Sequence, residues 1–232
     1  GIMVEIPHEY FKSYVSELAL PERGKYGVAQ IFFTHNDAER EQIEAKFNEL
    51  IAEEGQQLIG WRTAPTNAAT LRKSAKDTAP FVRQLFIGAV GVEGLAFERK
   101  LYIIRKQVEH WATAQGFTFY CPSMSSRTMV FKGLLNPEEV STFYEDLQHE
   151  QFVSAFALVH SRYSTNTFPS WQRAHPNRYI IHNGEINTLR GNMNWMRARE
   201  QRFVSDAFGD DLQKLLPIID ETGSDSSMLD NA

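Results

Sequence analysis

The chain has 232 residues, of which 42% are hydrophobic and 23% are charged, and its formal net charge is -5. These values are typical of a globular protein with one large domain or two small ones. The acidic balance and the scattered basic residues argue against a nucleic-acid partner. The single cysteine, Cys121, excludes an internal disulfide and a cysteine-rich metal site, and it favours a reducing, cytoplasmic compartment. The longest apolar run is broken by Glu93 and by glycines, so we predict no transmembrane helix.

Both ends of the sequence look unlike those of an intact gene product. Residue 1 is a glycine, and the chain stops at Ala232 without a helix-terminating glycine or basic turn. The first residues contain neither a basic segment nor the apolar segment of a signal peptide. We therefore expect the sequence to be a piece of a longer polypeptide.

Strands and helices alternate along the first 132 residues. Runs of β-branched and aromatic residues predict strands at 2–6, 26–33, 57–62 and 82–89. Helical spacing of apolar residues predicts helices at 8–19, 36–54 and 93–115, with Asn36 as the cap of the second and Glu39 at the capping-box position. The runs 117–121 and 127–132 are typical of a hairpin whose turn is 122–126. The polar segment 66–80 has no clear pattern.

The remaining hundred residues continue this alternation. Asn136-Pro137 begins a helix, because proline favours its first turn and the acids that follow favour its positive end. We predict strands at 155–163 and 178–183 and a helix at 186–203. Several neighbouring strands are joined too tightly for parallel crossovers, which favours antiparallel sheets covered by helices. The glycines form neither a dinucleotide-binding nor a phosphate-binding loop.

Three short motifs in the last third carry polar residues that could bind a ligand. Arg162 ends an apolar strand, where its guanidinium could bind a carboxylate or form a surface salt bridge. Asn183-Gly184 ends the next strand, where it could be an ordinary turn or could direct an amide and a backbone N–H at one oxyanion. Asp225 lies among serines that could simply cap a helix, or its carboxylate could bind an ammonium group.

The remaining reactive side chains suggest no further chemistry. Cys121 is expected to be a small packed side chain, since no base lies beside it in the sequence. His160, His175 and His182 have neither an i,i+4 partner nor a neighbouring cysteine, so tight packing or hydrogen bonding is favoured over a metal site.

In this order and setting, the motifs resemble those of the glutaminase domain of glutamate synthases, a group of class II (N-terminal-nucleophile) glutamine amidotransferases. The resemblance extends from Gly1 to Ala232. It is strongest in five tracts: 101–106, 125–128, 160–171, 182–190 and 224–232. It implies an α+β fold, a four-layer α/β/β/α sandwich of two antiparallel sheets between helices.

The resemblance also implies a role for each motif residue. Arg162 would bind the α-carboxylate of glutamine and Asp225 its α-ammonium. Asn183 and Gly184 would form the oxyanion hole. The segment Tyr163-Ser164-Thr165 would line the pocket, and His182 would shape the turn.

The family nucleophile is absent from the chain. It is a cysteine made N-terminal by processing, whose own α-amino group serves as the base. By resemblance it would lie upstream of Gly1, on a strand outside these residues. A cysteine within the chain, such as Cys121, has no free α-amino group. The chain alone would therefore not hydrolyse glutamine, and residues 1–232 would be a partial domain without its N-terminal strand and its C-terminal remainder.

The resemblance places the cofactors and partners outside these residues. In the complete enzyme, ammonia would pass to downstream synthase domains of the same polypeptide for reductive amination of 2-oxoglutarate. That chemistry would use FMN, an iron–sulfur cluster, and NAD(P)H or ferredoxin as electron donor, with a possible small reductase subunit. Two other hypotheses stay open: a non-catalytic amino-acid-binding or regulatory module, and another class II amidotransferase.

Overall fold

A computed structural model describes residues 1–163, 168–182 and 186–232 of the chain. Its strands are β1 (Ile2–Glu5), β2 (Tyr26–Phe33), β3 (Gln57–Thr63), β4 (Phe81–Gly88), β5 (Phe119–Ser125), β6 (Thr128–Phe131) and β7 (Ala157–Val159). Its α-helices are α1 (His8–Tyr14), α2 (Asp37–Glu53), α3 (Lys73–Lys76), α4 (Leu95–Gln115), α5 (Pro137–Phe143), α6 (Leu189–Glu200) and α7 (Asp225–Asn231). Short 3₁₀-helices cover Glu145–Gln148 and Gly209–Leu215.

The strands form two antiparallel sheets. One has the order β3-β4-β2-β5 and the other the order β6-β1-β7. Together with the helices packed against them, these sheets confirm the predicted α+β class.

The core has two parts, which meet at the central strand β2. All eight residues of β2 are buried, because both faces of the strand are covered. Val28 and Phe32 belong to the cluster between the sheets, whereas Ala29, Ile31 and Phe33 pack with residues of α2 and α4. This alternation follows the two-residue period of a strand. It orders the layers as helices, four-stranded sheet and three-stranded sheet.

A buried ion pair joins elements within this core. The guanidinium of Arg62 on β3 donates to both carboxylate oxygens of Asp146, at 2.6 and 2.8 Å. The hydroxyl of Tyr10 on α1 also donates to Asp146, at 2.7 Å, and Arg62 donates to Gln84 on β4 at 2.6 Å. Burial and the Asp146 carboxylate raise the pKa of Tyr10 to about 12. The negative charge of Asp146 is thus balanced by the Arg62 cation and stabilised by the Tyr10 hydroxyl.

The hairpin predicted for 117–132 is wrong. β5 pairs with β2 and β6 pairs with β1, so the two strands belong to different sheets. Residues 122–125 of the predicted turn belong to β5, where Pro122 is tolerated because β5 is an edge strand. Side chains fix the bend that follows, since Glu98 accepts the N–H of Ser126 at 2.7 Å and the hydroxyl of Ser123 accepts the N–H of Val130 at 3.0 Å.

Two helix caps behave differently from each other. Asn136 forms the complete capping box with Glu139, whose carboxylate accepts the Asn136 N–H at 2.7 Å. Asn36 accepts the N–H of Glu39 at 3.3 Å, as predicted for an N-cap. The carboxylate of Glu39 instead accepts from the Thr34 hydroxyl at 3.1 Å and from a backbone N–H ahead of β5, so that capping box is only half formed.

Several predicted elements are shorter than expected. α1 ends at Tyr14, β7 covers only Ala157–Val159, and α6 covers Leu189–Glu200. No strand forms at 178–182, the described part of the predicted strand 178–183. Its backbone donors bind a side chain instead, as described below. No helix in the described ranges has both the length and the apolar character needed to cross a membrane.

Candidate functional site

Asp225 is the first residue of α7, and its carboxylate is 6% exposed. One carboxylate oxygen accepts the backbone N–H of Ser226 at 2.7 Å and its hydroxyl at 3.2 Å, and the other accepts the N–H of Ile186 at 2.9 Å. The preceding Ser224 is the N-cap, since its hydroxyl accepts the N–H of Ser227 at 3.2 Å. Capping is thus performed by the serine and not by Asp225. Among the described residues no cation forms an ion pair with Asp225.

The described residues on either side of positions 183–185 both contact α7. Nδ1 of His182 lies 3.4 Å from the hydroxyl oxygen of Ser226, and Ile186 donates to Asp225 as described above. The predicted oxyanion residues Asn183 and Gly184 fall between these flanks, outside the described residues. The predicted pocket residues Ser164 and Thr165 also lie outside them.

Arg162 and Tyr163 follow β7 and have different surroundings. Arg162 is exposed, and in the described part of the chain its guanidinium has no hydrogen-bond or ion-pair partner, although its backbone N–H donates to His160 at 3.2 Å. The half-buried Tyr163 directs its hydroxyl at the backbone carbonyls of Gly133 and Ser170, at 2.8 and 3.2 Å. The Arg162 guanidinium is therefore available for a ligand, whereas the Tyr163 hydroxyl anchors this segment.

Gly133 allows the close approach on which this anchor depends. A Cβ at this position would lie 2.3 Å from the ring of Trp171. Any other residue at 133 would displace Trp171, whose indole N–H donates to the carbonyl of Ala75 at 3.2 Å. The segment that carries Arg162 and Tyr163 is thus held at a point where only glycine fits.

His175, one of the histidines expected to pack or form hydrogen bonds, is buried. It is 2% exposed, and within residues 1–163, 168–182 and 186–232 neither of its ring nitrogens has a hydrogen-bond partner. Its ring lies 4.6 Å from that of His160. Burial, followed by the neighbouring His160 and Lys132, lowers the pKa of His175 to about 4, so the imidazole is neutral at pH 7.

A second group of buried charges lies beneath the 178–182 segment. Lys132 is fully buried, donates to the hydroxyl of Tyr120 at 2.9 Å, and has its pKa held well below the usual value by burial and by Arg178. Arg178 donates to Glu109 on α4 at 3.2 Å. Burial alone would raise the pKa of Glu109, but Arg105, Arg178 and a nearby lysine lower it to about 2. Glu109 is therefore an anion that holds Arg178.

Cys121 lies in the core between the four-stranded sheet and its helices and is 0% exposed. Burial, above all, raises the pKa of its thiol to about 12. A thiol of this kind carries almost no thiolate at neutral pH, so it is a poor nucleophile. The structure agrees with the interpretation of Cys121 as a packed side chain.

The sequence interpretation missed Asp230 and Lys132. Asp230 binds three consecutive backbone N–H groups, those of residues 178–180. The one available signal for Asp230 was its position in the tract 224–232, where the resemblance is strong. Lys132 had no such signal, because its burial depends on residues distant in the chain.

The fold, the buried Asp225 and the order of the motifs together point to one class of protein. A comparison with known families identifies this class. Residues 1–232 match the family model for class-II glutamine amidotransferases, and the chain belongs to this family. In the described ranges no group of three or more His, Cys, Asp or Glu residues could hold a metal ion.

The chain is similar over its whole length to glutamate synthases of several organisms. It is 58% identical over 234 residues to the glutamate synthase [NADPH] large chain of Bacillus subtilis (strain 168), of which the match covers 15%. It is 42% identical to the glutamate synthase [NADH] of Saccharomyces cerevisiae, of which the match covers 11%. It is 37% identical to the chloroplastic ferredoxin-dependent glutamate synthase of Spinacia oleracea, of which the match covers 15%. The chain thus spans a small part of the length of these relatives.

Proposed function

We propose that this chain is the greater part of the glutaminase domain of a glutamate synthase and contains the residues that bind glutamine. In this role it hydrolyses glutamine to glutamate and ammonia once its nucleophile is present. The observation that carries the proposal is Asp225, a buried carboxylate that has only neutral partners among the described residues. Burying an acid without a cation is costly, and a ligand ammonium would supply the missing charge. Membership of the family, and similarity to part of glutamate synthases along the whole of this chain, support this assignment.

The exposed Arg162 provides the complementary charge. Its planar guanidinium suits bidentate binding of the glutamine α-carboxylate, while Asp225 takes the α-ammonium. Together they would orient the side-chain amide towards Asn183 and Gly184. His182, the residue before these two, is supported by Ser226, and Tyr163-Ser164-Thr165 would line the pocket.

The reaction needs a thiolate that these residues do not supply. In the proposal it belongs to a cysteine upstream of Gly1 with a free α-amino group. The thiolate adds to the amide carbon, and the resulting oxyanion is stabilised by the amide of Asn183 and the N–H of Gly184. The C–N bond breaks, the nitrogen leaves as ammonia with the proton from the α-amino group, and water then hydrolyses the thioester to glutamate.

The rest of the proposed enzyme lies in other parts of the polypeptide. Ammonia would pass to a synthase region that reductively aminates 2-oxoglutarate, with NADPH, NADH or ferredoxin as electron donor and a small reductase subunit as a further partner. The present residues do not fit the redox groups of that region, since one buried cysteine cannot ligate an iron–sulfur cluster. We place the enzyme in the cytoplasm.

Glutamine kinetics of the complete polypeptide test the proposal. Arg162→Ala or Asp225→Ala should mainly raise the glutamine KM, because each removes binding to an unreacting part of the substrate. Asn183→Ala should mainly lower kcat, by about 10²–10³-fold, because it removes one oxyanion donor.

The same assays separate this function from a ligand-binding module without catalysis. A complete wild-type polypeptide that binds glutamine and releases no ammonia would overturn the glutaminase assignment. A normal kcat in Asn183→Ala would overturn the oxyanion role of that residue.

A further inference from the structure

Asp230 lies near the end of α7, and its carboxylate binds a stretch of backbone distant in the chain. One oxygen accepts the N–H groups of Tyr179 at 2.7 Å and Ile180 at 3.0 Å, and the other accepts the N–H of Arg178 at 3.0 Å. Hydrogen bonds to an ionised acceptor are shorter and stronger than those between neutral groups. One side chain therefore satisfies three consecutive backbone donors that would otherwise belong to a strand.

The two acids of α7 hold the chain on both sides of the proposed oxyanion residues. Asp230 binds residues 178–180, which precede Asn183 by a few positions. Asp225 accepts the N–H of Ile186 at 2.9 Å, on the far side. Both flanks of the 183–185 segment are thus attached to one helix of seven residues.

The side chain of Arg178 anchors the same segment independently. Its guanidinium donates to Glu109 at 3.2 Å and lies 5.5 Å from the ring centroid of Tyr120. α4, which carries Glu109, packs against the four-stranded sheet. This contact fixes the start of the segment relative to the core, and Asp230 fixes its backbone relative to α7.

We propose that Asp230 is a positioning residue for glutamine hydrolysis, which sets the oxyanion donors Asn183 and Gly184 relative to the substrate ammonium bound by Asp225. The inference rests on the proposed function of Asp225. It follows from the arrangement of α7, where the ammonium-binding acid and the acid that fixes the backbone leading to the donors share one rigid element. A misplacement of about 1 Å far from the reacting atoms can cost about 10²-fold in rate.

The test is the Asp230→Asn variant of the complete polypeptide. We expect kcat for glutamine hydrolysis to fall by roughly 10- to 100-fold, while KM changes by less than about threefold. Affinity for glutamate γ-semialdehyde, whose thiol adduct places an oxygen in the oxyanion hole, should fall by a similar factor. Affinity for glutamate, which forms no thiol adduct with an oxygen in the oxyanion hole, should stay unchanged.

A matched control removes the same charge elsewhere. Asp206 is exposed, and Asp206→Asn should keep both kcat and KM. Hydrogen exchange should accelerate at the amides of 178–180 in Asp230→Asn and stay normal in Asp206→Asn. If Asp230→Asn does not fold, Asp230→Glu replaces it, because it keeps the charge and moves the carboxylate by one methylene.

The outcomes separate this inference from the function on which it rests. A normal kcat despite faster exchange at 178–180 would overturn the positioning role. Equal losses of semialdehyde and glutamate affinity would also overturn it, since they indicate general loosening of the site. A wild-type polypeptide without glutaminase activity would overturn the proposed function itself.

Discussion

Asp146 and Asp225 are almost equally buried, at 3% and 6% exposure, yet they have opposite surroundings. Asp146, beside the inter-sheet core, is bound by the guanidinium of Arg62 and the hydroxyl of Tyr10. Asp225, on α7, is bound by backbone N–H groups and one hydroxyl, all of them neutral.

The difference distinguishes an acid that holds the fold from one suited to a ligand. A buried charge is tolerated when a partner charge and hydrogen bonds replace its water. Asp146 receives both from the folded chain. Among the described residues Asp225 receives only the hydrogen bonds, which is the basis for our proposal that the ammonium group of a bound amino acid supplies the charge.

The largest expected effect separates the two acids by stability. Asp146→Asn leaves the Arg62 cation buried without its anion, which should cost about 3–5 kcal/mol in the free energy of unfolding. Asp225→Asn keeps an amide oxygen for one of the two backbone donors and turns its NH2 towards the other, so it should cost less, about 1–3 kcal/mol. Both changes can be measured by limited proteolysis at increasing temperature, in which the cleavage of this domain is followed through its fragments.

An exposed ion pair provides the control for this comparison. Lys73 and Asp77 form a salt bridge at 2.6 Å, but their side chains are 88% and 54% exposed. Asp77→Asn should therefore change stability by no more than about 0.5 kcal/mol. Equal losses in Asp146→Asn and Asp225→Asn would contradict the distinction between the two acids.

A smaller effect should appear as the pH is lowered, through His175 in the region of Asp225. Its pKa in the folded chain is about 4, lowered by burial and by His160 and Lys132, against an ordinary value of 6.5. Below pH 6.5 the unfolded chain takes up a proton that the folded chain does not, so stability falls as the pH drops towards 4. His175→Gln should reduce this slope, measured as the melting temperature of the domain between pH 7.5 and 5.

An exposed histidine serves as the reference for that measurement. His35→Gln removes an imidazole from the surface instead of from the interior, and its melting temperatures are the scale against which the slope of His175→Gln is compared. The same slope in wild type and in His175→Gln would show that His175 is not the group that titrates.

The smallest effect is expected at Cys121, in the core on the opposite face of the four-stranded sheet from Asp146. Cys121→Ala should leave glutamine hydrolysis within about twofold of wild type and cost about 1 kcal/mol of stability. The native thiol, with a pKa of about 12, should resist alkylation until the domain unfolds, as peptide mass spectrometry would show. Loss of hydrolysis in Cys121→Ala would instead place the nucleophile inside this chain.

Local sequence patterns predicted much of the scaffold. β2 has the predicted bounds of 26–33, and Asn36 and Asn136 cap the helices that they were expected to cap. These features depend on residues that are neighbours in sequence, where strand period and capping chemistry act directly.

The patterns failed where a distant side chain competes for the backbone. The segment 178–183 has the composition of a strand. Asp230, which is 50 to 52 positions away in the sequence, nevertheless binds the N–H groups of residues 178–180. The predicted hairpin at 117–132 failed because β5 and β6 each pair with a distant strand rather than with one another.

The motifs around Arg162, Asn183 and Asp225 are each ambiguous alone, but their order and setting were enough to recognise the family. The sequence did not show that Asp146 is paired with a cation whereas Asp225 has only neutral partners among the described residues. That distinction comes from Arg62, which is 84 positions from Asp146 and reaches it only after β3 and the 3₁₀-helix meet. Charge compensation is a property of neighbours in space, and packing alone brings those neighbours together.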